Sequence, residues 1–177
     1  TLLDLAEDIR NSGGRAYVYA GNLTDMADCD RICQEALRDH GHIDILINNA
    51  GRSIRRSIKF SFDRFHDYER TMQLNFFGAI RMAMNLLPGM LARNEGHIIN
   101  VSTLGVQANP ARFSAYLSSK WALEGWSWVA ANEFAHTGVR ISTLNYPLVR
   151  TPMIAPTKIY SYVPVMSPKT AVRWMLD

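Results

Sequence analysis

Short apolar segments of strand length alternate along this chain with longer amphipathic segments of helix length, and this alternation constrains the fold more than any other feature. The strand-like segments are residues 43–47, 97–101 and 140–145, and the helix-like ones are residues 25–39, 62–93 and 113–135. Strands that alternate with helices form parallel sheets, because a parallel connection needs a crossover long enough to hold a helix. The sequence therefore predicts an α/β fold built on a parallel sheet.

Weaker signals predict elements between and beyond these six segments. The expected elements are a helix end at residues 1–10, a short strand at residues 15–20, a loop at residues 147–164 and a final helix that begins at Ser167 and Pro168. Thr24 and Ser61 are candidate N-caps, since hydroxyl side chains bond the N–H groups of a first helical turn. Pro88 should kink or end the helix at residues 62–93, because proline removes one helical hydrogen bond.

Composition narrows the class of protein and of ligand. The hydrophobic fraction of 47% and the charged fraction of 20% are ordinary for a soluble globular domain. The net charge of +3 is too small to indicate nucleic acid on its own, but it suits an anionic ligand such as a nucleotide. No apolar run is long enough to span a bilayer. Cys29 and Cys33 lack the partners of a zinc site, so we expect no metal and two reduced thiols, as in a cytoplasmic protein.

The residues that can carry chemistry lie between residues 96 and 120. Tyr116 and Lys120 are four apart, so on a helix they lie on the same face. Ser102 and Thr103 follow the strand 97–101, and ligands of open α/β sheets bind outside the carboxyl ends of the strands. A lysine cation lowers the pKa of a neighbouring phenol and suits it to proton transfer. A tyrosine bonded to backbone beside a solvated lysine is the alternative, but the position after a strand favours catalysis.

These residues resemble the signature of the short-chain dehydrogenase/reductase family. That family has Tyr-x-x-x-Lys preceded by an active-site serine. This chain also matches the family at two further motif positions, with NNAG at residues 48–51 and with Asn75. Four segments resemble, more narrowly, the reductase domain of bacterial fatty acyl-CoA reductases: NAGRSIRRS at 49–57, DRFHD at 63–67, RFSAY at 112–116 and PLVRTPMIAPTKIY at 147–160. The resemblance covers nearly the whole chain and implies a Rossmann-type, doubly wound parallel sheet with helices on both faces.

The resemblance implies a role for each catalytic candidate. Tyr116 would pass a proton to the substrate oxygen, while Lys120 would lower the pKa of Tyr116 and bind the nicotinamide ribose. Ungapped alignment from either side assigns carbonyl polarisation to Thr103, where the family usually has serine, and Ser102 is the second candidate. The backbone carbonyl of Asn75 would help to hold a water that feeds protons toward Lys120. Outside this family, Asn75 would be interpreted as a residue that kinks the helix or bonds the backbone.

The resemblance also implies a nucleotide cofactor, NADPH or alternatively NADH. The implied cofactor-binding residues are Asn22, Leu23, Asn49, Ala50, Gly51, Tyr116, Lys120, Pro147, Val149 and Thr151. Asn22 stands where the family usually has an aspartate that accepts from the adenine amino group, and an amide oxygen can still accept. The glycine-rich turn that receives the pyrophosphate has no counterpart in this sequence.

Three arginines closely follow the NNAG segment. Arg52, Arg55 and Arg56 form either a solvated charged face or a cradle for the phosphates of coenzyme A. Their loop leaves the carboxyl end of a strand on the side of the expected active site, and guanidinium groups bind phosphate well. The sequence leaves both interpretations open.

The helix predicted at residues 113–135 is apolar on two stripes. One stripe contains Ala122, Trp126, Val129 and Ala130, and the other contains Leu117, Trp121 and Trp128. A surface helix needs only one apolar stripe. The second is buried either by the protein's own loops or by another subunit, and tryptophan is enriched in subunit contacts. The resemblance implies a homodimer or homotetramer.

The function implied by the resemblance is the reduction of a fatty acyl-CoA thioester to a fatty aldehyde with NADPH. A ketone or 3-oxoacyl reductase is the alternative within the family, and a cofactor-binding or dimerising fragment without turnover is the alternative outside catalysis. In the family's strand order, 3-2-1-4-5-6, residues 15–20 are the third strand and residues 43–47 the fourth. The first two strands belong between them and are missing from residues 1–177. We therefore expect a partial domain of a longer polypeptide, which alone would be poorly soluble and fail to bind NADPH.

Overall fold

Three parallel strands form the centre of the structure, a computed structural model that describes residues 1–155, 157, 160 and 162–176. They are β1 (Ile45–Asn48), β2 (Gly96–Thr103) and β3 (Val139–Tyr146), in the order β1-β2-β3. Asn48 pairs with Asn100, and Thr103 at the end of β2 pairs with Tyr146 at the end of β3. The carboxyl ends of the strands therefore meet at one edge of the sheet. The predicted parallel α/β fold is confirmed.

The helices connect these strands and flank the sheet. They are α1 (Leu2–Asn11), α2 (Met26–His40), α3 (His66–Met72), α4 (Ala79–Arg93), α5 (Gly105–Ala108), α6 (Ser114–Glu133) and α7 (Pro168–Leu176). The helix predicted at residues 62–93 begins only at His66, after a 3-10 turn at Ile58–Phe60, and it contains a π-helical stretch at Gln73–Gly78 between α3 and α4. Pro88 lies inside α4 without ending it. Pro88 is exposed, so the carbonyl that loses its bond lies on the solvent side.

Both predicted N-caps are wrong. Asp25 caps α2 in place of Thr24, and its side chain accepts from the Ala27 N–H at 2.9 Å. The Thr24 hydroxyl donates instead to Asn22 Oδ1, at 2.8 Å. Ser61 follows the 3-10 turn and donates its hydroxyl hydrogen to the Ser57 carbonyl. Each hydroxyl thus has a local backbone or amide partner, which competes with capping.

The strand predicted at residues 15–20 does not form. The segment has no assigned secondary structure, and it joins no ladder among the described residues. Side chains hold it instead: Arg10 Nε donates to the Ala16 carbonyl at 3.1 Å, and the Tyr19 hydroxyl donates to Asp39 at 3.0 Å. A strand exists only by pairing its backbone groups with a neighbour. The apolar alternation of residues 15–20 is therefore not sufficient to make one here.

Alternate residues of β2 show which helices cover which face. Ile98 belongs to the main hydrophobic core, Asn100 donates to Ser127 on α6, and Ser102 donates to Glu124 on α6. Side chains two apart on a strand point to the same face. The core on this face is built from residues of α2, β1, α4, β2 and β3, namely Cys33, Leu46, Ala83, Leu86, Leu87, Met90, Ile98 and Val139. Helices α2, α4 and α6 therefore share one face of the sheet.

The opposite face meets α7 at the end of β3. The Tyr146 hydroxyl donates to the Ala171 carbonyl of α7 at 2.6 Å. Further along this face, Ile45 and Ile47 of β1 are about half exposed, at 56% and 46%. Helices on both faces of a parallel sheet are the doubly wound arrangement, so that prediction is confirmed.

Candidate active site

Lys120 is a buried cation at the carboxyl end of β2. Its side chain is only 4% exposed, and Nζ donates to the Val101 carbonyl at 2.7 Å. Burial lowers the pKa of Lys120 from 10.5 to about 8, because it disfavours the charged form, while the Glu124 carboxylate acts in the opposite direction. The Val101 carbonyl thus anchors an ammonium that is still mostly charged at neutral pH but loses its proton more readily than an exposed lysine.

Tyr116 lies one turn before Lys120 on α6. Burial raises the pKa of its phenol above the usual value, a hydrogen bond from Thr103 lowers it in part, and Tyr160 raises it further. The sequence predicted a pKa lowered by Lys120, and this prediction is wrong. The desolvation of the phenolate outweighs the other influences. The phenol is consequently a protonated acid at neutral pH.

Thr103 and Ser102 point to different sides at the end of β2. The Thr103 hydroxyl accepts from the Gly105 N–H at 3.1 Å, and its interaction with the phenol lowers the pKa of Tyr116 in part. The Ser102 hydroxyl donates to Glu124 Oε1 on the face covered by α6. The alternation of strand side chains separates the two. The structure therefore brings Thr103, and not Ser102, beside the phenol.

Asn75 links three parts of the site through its side chain. It lies in the π-helical stretch, where its Oδ1 accepts from the Arg52 N–H at 2.7 Å. Its Nδ2 donates to the Arg52 carbonyl and to Ser119 Oγ, both at 2.9 Å. A Cβ on Gly51 would lie 3.3 Å from Asn75 Oδ1 and 3.7 Å from Lys120 Nζ. Asn75 thus holds the turn after β1 against α6, and Gly51 permits this close approach.

Six of the ten residues proposed for the cofactor fall into two groups. Leu23, Asn49 and Ala50 line a cleft of about 70 Å³ beside β1; its other lining residues are Leu46, Ile47, Asn48, Leu74, Gly78, Ala79 and Met82. Pro147, Val149 and Thr151 follow β3, and Val149 pairs with Met166 in an isolated parallel bridge. A second cavity of about 520 Å³ is lined by Arg150, Thr151, Ile154, Ala155, Thr157, Tyr160, Tyr162, Val163 and Val165.

Asn22 is engaged locally. Its Oδ1 accepts from both the Thr24 N–H, at 3.1 Å, and the Thr24 hydroxyl, at 2.8 Å. An amide oxygen has two lone pairs, so these two donors occupy its acceptor capacity. Binding of an adenine amino group to this oxygen would require one of the two bonds to break.

The three arginines do not form one cradle. Arg56 Nε donates to Asp67 at 3.0 Å, and Arg64 Nε donates to the same carboxylate at 3.3 Å. Burial alone would raise the pKa of Asp67, but these arginines lower it. Arg52 and Arg55 are exposed. Arg56 therefore belongs to a structural ion pair, and two cations face solvent.

Several buried polar side chains were not anticipated from the sequence. Glu124 is 3% exposed and accepts from Ser102 on β2 and, at 2.8 Å, from Asn145 Nδ2 on β3. Asn100 accepts from Asn48 Nδ2 at 2.8 Å and donates to Ser127. A glutamate in a predicted helix is expected to face solvent, so the sequence pattern does not indicate that Glu124 is buried. The spacing of Tyr116, Lys120 and Glu124, each four apart, was the available signal.

Comparison with known proteins places this site in a family. The sequence profile described as short chain dehydrogenase matches residues 1–159. The chain belongs to the short-chain dehydrogenase family. Its fold agrees with a crystal structure of a short-chain dehydrogenase from Streptomyces avermitilis, at a TM-score of 0.81 and 27% identity, over 97% of this chain and 69% of that one.

Two relatives are named fatty acyl-CoA reductases. The chain is 53% identical over 171 residues to one from Acinetobacter baylyi, with 97% of this chain and 58% of the relative covered. It is 48% identical over 178 residues to one from Mycobacterium tuberculosis, with 99% and 60% covered. The chain thus spans about three fifths of the length of these relatives. The predicted resemblance to fatty acyl-CoA reductases is confirmed.

Two further properties bear on the setting of the site. Among the helices of the described residues, none combines the length and apolarity that crossing a bilayer demands. Cys29 and Cys33 are both buried and unbridged, as the sequence predicted.

Proposed function

We propose that the full-length protein containing this chain reduces a fatty acyl-CoA thioester to a fatty aldehyde with NADPH. The observation that carries this proposal is the meeting of the Thr103 hydroxyl with a protonated, buried Tyr116 at the carboxyl end of β2, one turn from Lys120. Two hydroxyl donors beside each other can bind one carbonyl oxygen. The names of the two fatty acyl-CoA reductase relatives support the thioester as substrate.

The residues present fit the nicotinamide end of the cofactor. Lys120 is a buried cation, and Gly51, which has no Cβ, leaves space beside Lys120 Nζ. Asn49 and Ala50 line the neighbouring cleft. These are the residues that would hold the nicotinamide ribose, and bound NADPH would supply the hydride. The phosphate that distinguishes NADPH from NADH would lie outside this group of residues, so NADPH rests on the resemblance to the family.

In the proposed reaction, the residues of this chain bind and protonate the substrate oxygen. Thr103 and Tyr116 donate hydrogen bonds to the thioester carbonyl, which favours the negative charge that develops on oxygen as hydride adds to carbon. Tyr116 then transfers its proton to that oxygen. The resulting hemithioacetal then collapses: its hydroxyl loses a proton as the carbonyl re-forms, the carbon–sulfur bond breaks, and the departing sulfur takes up a proton, which releases aldehyde and the thiol of coenzyme A. Lys120 and a water held by the Asn75 carbonyl return the proton to Tyr116.

The exposed arginines are proposed to contact the phosphates of coenzyme A. Arg52 and Arg55 lie in the loop that leaves the carboxyl end of β1, next to Gly51. Arg56 contributes less, because its guanidinium already bonds the buried carboxylate of Asp67. We also propose the cytoplasm as the compartment, since the two buried cysteines remain thiols there.

A homodimer or homotetramer is proposed to form through the outer face of α6. Trp121 and Trp128 are 42% and 54% exposed, and their rings contact each other edge to face with centroids 6.3 Å apart. Val129 beside them is also exposed. Paired exposed tryptophans on one helix are typical of a subunit contact.

Product analysis tests the proposed reaction. The full-length protein with NADPH and a long-chain acyl-CoA should release free thiol and aldehyde in equal amounts. Tyr116→Phe should lower turnover by about 10²- to 10⁴-fold, because the proton donor is lost, while NADPH binding stays within a few-fold of the wild type. Reduction of a 3-oxoacyl substrate without release of thiol would establish the ketone reductase instead. A Tyr116→Phe variant that retains a tenth of the activity would refute Tyr116 as the acid.

A further inference from the structure

Helix α6 buries two opposite charges one turn apart. Lys120 is 4% exposed and Glu124 is 3% exposed. Among the described residues, the other buried ionised side chain is Asp67, and it pairs with arginines. Glu124 has no such partner within ion-pair distance in the described part of the chain; it accepts from neutral donors on β2 and β3. Burying a carboxylate without an ion-pair partner costs free energy, which bonds from neutral donors offset only in part.

The contacts of Glu124 tie three elements together where the site is built. Ser102 donates from β2 and Asn145 donates from β3, the strand paired with it. The residue just before Ser102 is Val101, whose carbonyl receives Lys120 Nζ. The residue just after Ser102 is Thr103, whose hydroxyl interacts with the Tyr116 phenol. Glu124 therefore fixes the stretch of β2 that holds both proposed catalytic side chains of α6.

We propose that Glu124 is a positioning residue of the reaction: it clamps the ends of β2 and β3 to α6, and its buried negative charge keeps the Lys120 ammonium charged in a desolvated site. This inference rests on the proposed function for the role of Lys120. It adds a fifth member to the Thr103, Tyr116, Lys120 and Asn75 set. The member acts through Lys120 and touches neither substrate nor cofactor.

The charged and titratable groups around Lys120 support an electrostatic role. On α6 the charged or titratable neighbours are Tyr116 and Glu124. The neighbouring side chains on the other elements are neutral: Ser102 and Thr103 on β2, and Asn75 in the π-helical stretch. Arg52, in the loop packed against Asn75, is exposed to solvent. Burial lowers the pKa of Lys120 to about 8, and Glu124 is the charge that opposes this. Removal of that charge should lower the pKa of Lys120 further.

Glu124→Gln separates the charge from the clamp. The amide keeps the size of the side chain and an oxygen that can accept from Ser102 and Asn145. In the full-length protein, the alkaline limb of the kcat/KM profile for acyl-CoA reduction should move to lower pH by about one unit, since a buried charge one turn away has an effect of that order. The pH at which NADPH binding weakens, followed by nucleotide fluorescence, should move by the same amount. Glu133→Gln, the same change at an exposed position of α6, should move neither.

A purely structural role predicts a different pattern. In that case Glu124→Gln lowers the melting temperature or leaves it unchanged, and both pH profiles stay where they are in the wild type; this result would overturn the proposal. Glu124→Asp, which keeps the charge, should retain the wild-type pH limb even where KM rises. This result differs from a failure of the proposed function. If the wild-type protein binds NADPH but releases no thiol from acyl-CoA, the proposed function fails, and the pH profile of NADPH binding still decides the role of Glu124.

Discussion

Burial moves the pKa values of Tyr116 and Lys120 in opposite directions, because it disfavours the charged form of each side chain. Tyr116 is neutral and Lys120 is charged at pH 7, which is the pair of protonation states that a reductase of this type needs. In the proposed reaction, the pKa of Lys120, about 8, would limit activity on the alkaline side. Tyr116 titrates above its usual range and does not set that limit.

Lys120 should lower the stability of the fold at neutral pH. Its pKa in the fold, about 8, lies below the ordinary 10.5, so the unfolded chain binds the proton more tightly and stability rises with pH between these values. The deficit below pH 8 is on the order of 3 kcal/mol, because each pKa unit corresponds to 1.36 kcal/mol. Lys120→Met should therefore raise the melting temperature of the full-length protein at pH 7, and the gain should shrink at pH 9.5. Lys169→Met, at an exposed site, serves as the control; an equal gain at both pH values would contradict the linkage.

Substitutions at Thr103 and Ser102 distinguish the two hydroxyls. Thr103→Val removes the donor beside Tyr116 and should reduce kcat by on the order of 10²-fold, as the loss of one donor to a developing oxyanion does. Thr103→Ser keeps the hydroxyl and should retain most of the activity. Ser102→Ala removes one of the two bonds to Glu124 but no donor beside Tyr116, so kcat should fall by much less than in Thr103→Val. Steady-state kinetics of the three variants give the answer, and loss of kcat in Ser102→Ala with Thr103→Val unaffected would reverse the assignment.

At the scale of elements, Gly78 at the end of the π-helical stretch Gln73–Gly78 allows the helix to pass close to the segment before α2. A Cβ on Gly78 would lie 2.3 Å from the Leu23 carbonyl oxygen, which is a backbone atom that cannot rotate away. Gln73 Nε2 donates to the neighbouring Thr24 carbonyl at 3.0 Å. One bond and one close approach thus hold Leu23 at the cleft that it shares with Asn49 and Ala50.

Gly78→Ala should both destabilise the protein and weaken the cofactor site. The clash with Leu23 should cost about 1 to 3 kcal/mol of unfolding free energy, as overpacking of a tight contact does. NADPH affinity should fall as Leu23 moves. In Gly89→Ala on the same helix, the added Cβ meets its nearest neighbour, Arg93 Nη1, at an ordinary 3.5 Å. Denaturant unfolding and NADPH titration of both variants test this. If Gly78→Ala changes neither the free energy of unfolding nor the NADPH affinity, the segment around Leu23 can move away from the helix at no cost.

The sequence predicted the elements that carry their own signal. Strands β2 and β3 and helix α6 follow apolar periodicity, and they were predicted within two residues. The strand at residues 15–20 failed because a strand depends on a neighbour that periodicity does not report. The π-helical stretch was not predicted, because a single turn with i→i+5 hydrogen bonds inside an α-helix does not change the apolar pattern enough to be recognised in the sequence. Glu124 was missed because its burial depends on donors from two distant strands.

At the scale of the whole molecule, the exposed face of α6 is the feature that a second subunit would cover. The inner face of the same helix is committed to the sheet, through Leu123, Glu124 and Ser127. Trp121 and Trp128 project from the outer face, away from these bonds, and contact each other. Because Tyr116 and Lys120 lie on the helix that carries this face, association would rigidify the site itself.

If the proposed oligomer forms through α6, Trp128→Glu should convert it to a monomer. A carboxylate in an apolar contact between two copies of α6 is disfavoured by desolvation and by repulsion from its symmetry mate. Sedimentation velocity should show the mass halved or quartered, and turnover should fall as α6 loses its support. Phe62→Ser, a change at a side chain that is 84% exposed on the loop before α3, should leave the mass unchanged. A Trp128→Glu protein that sediments like the wild type would place the subunit contact elsewhere on the molecule.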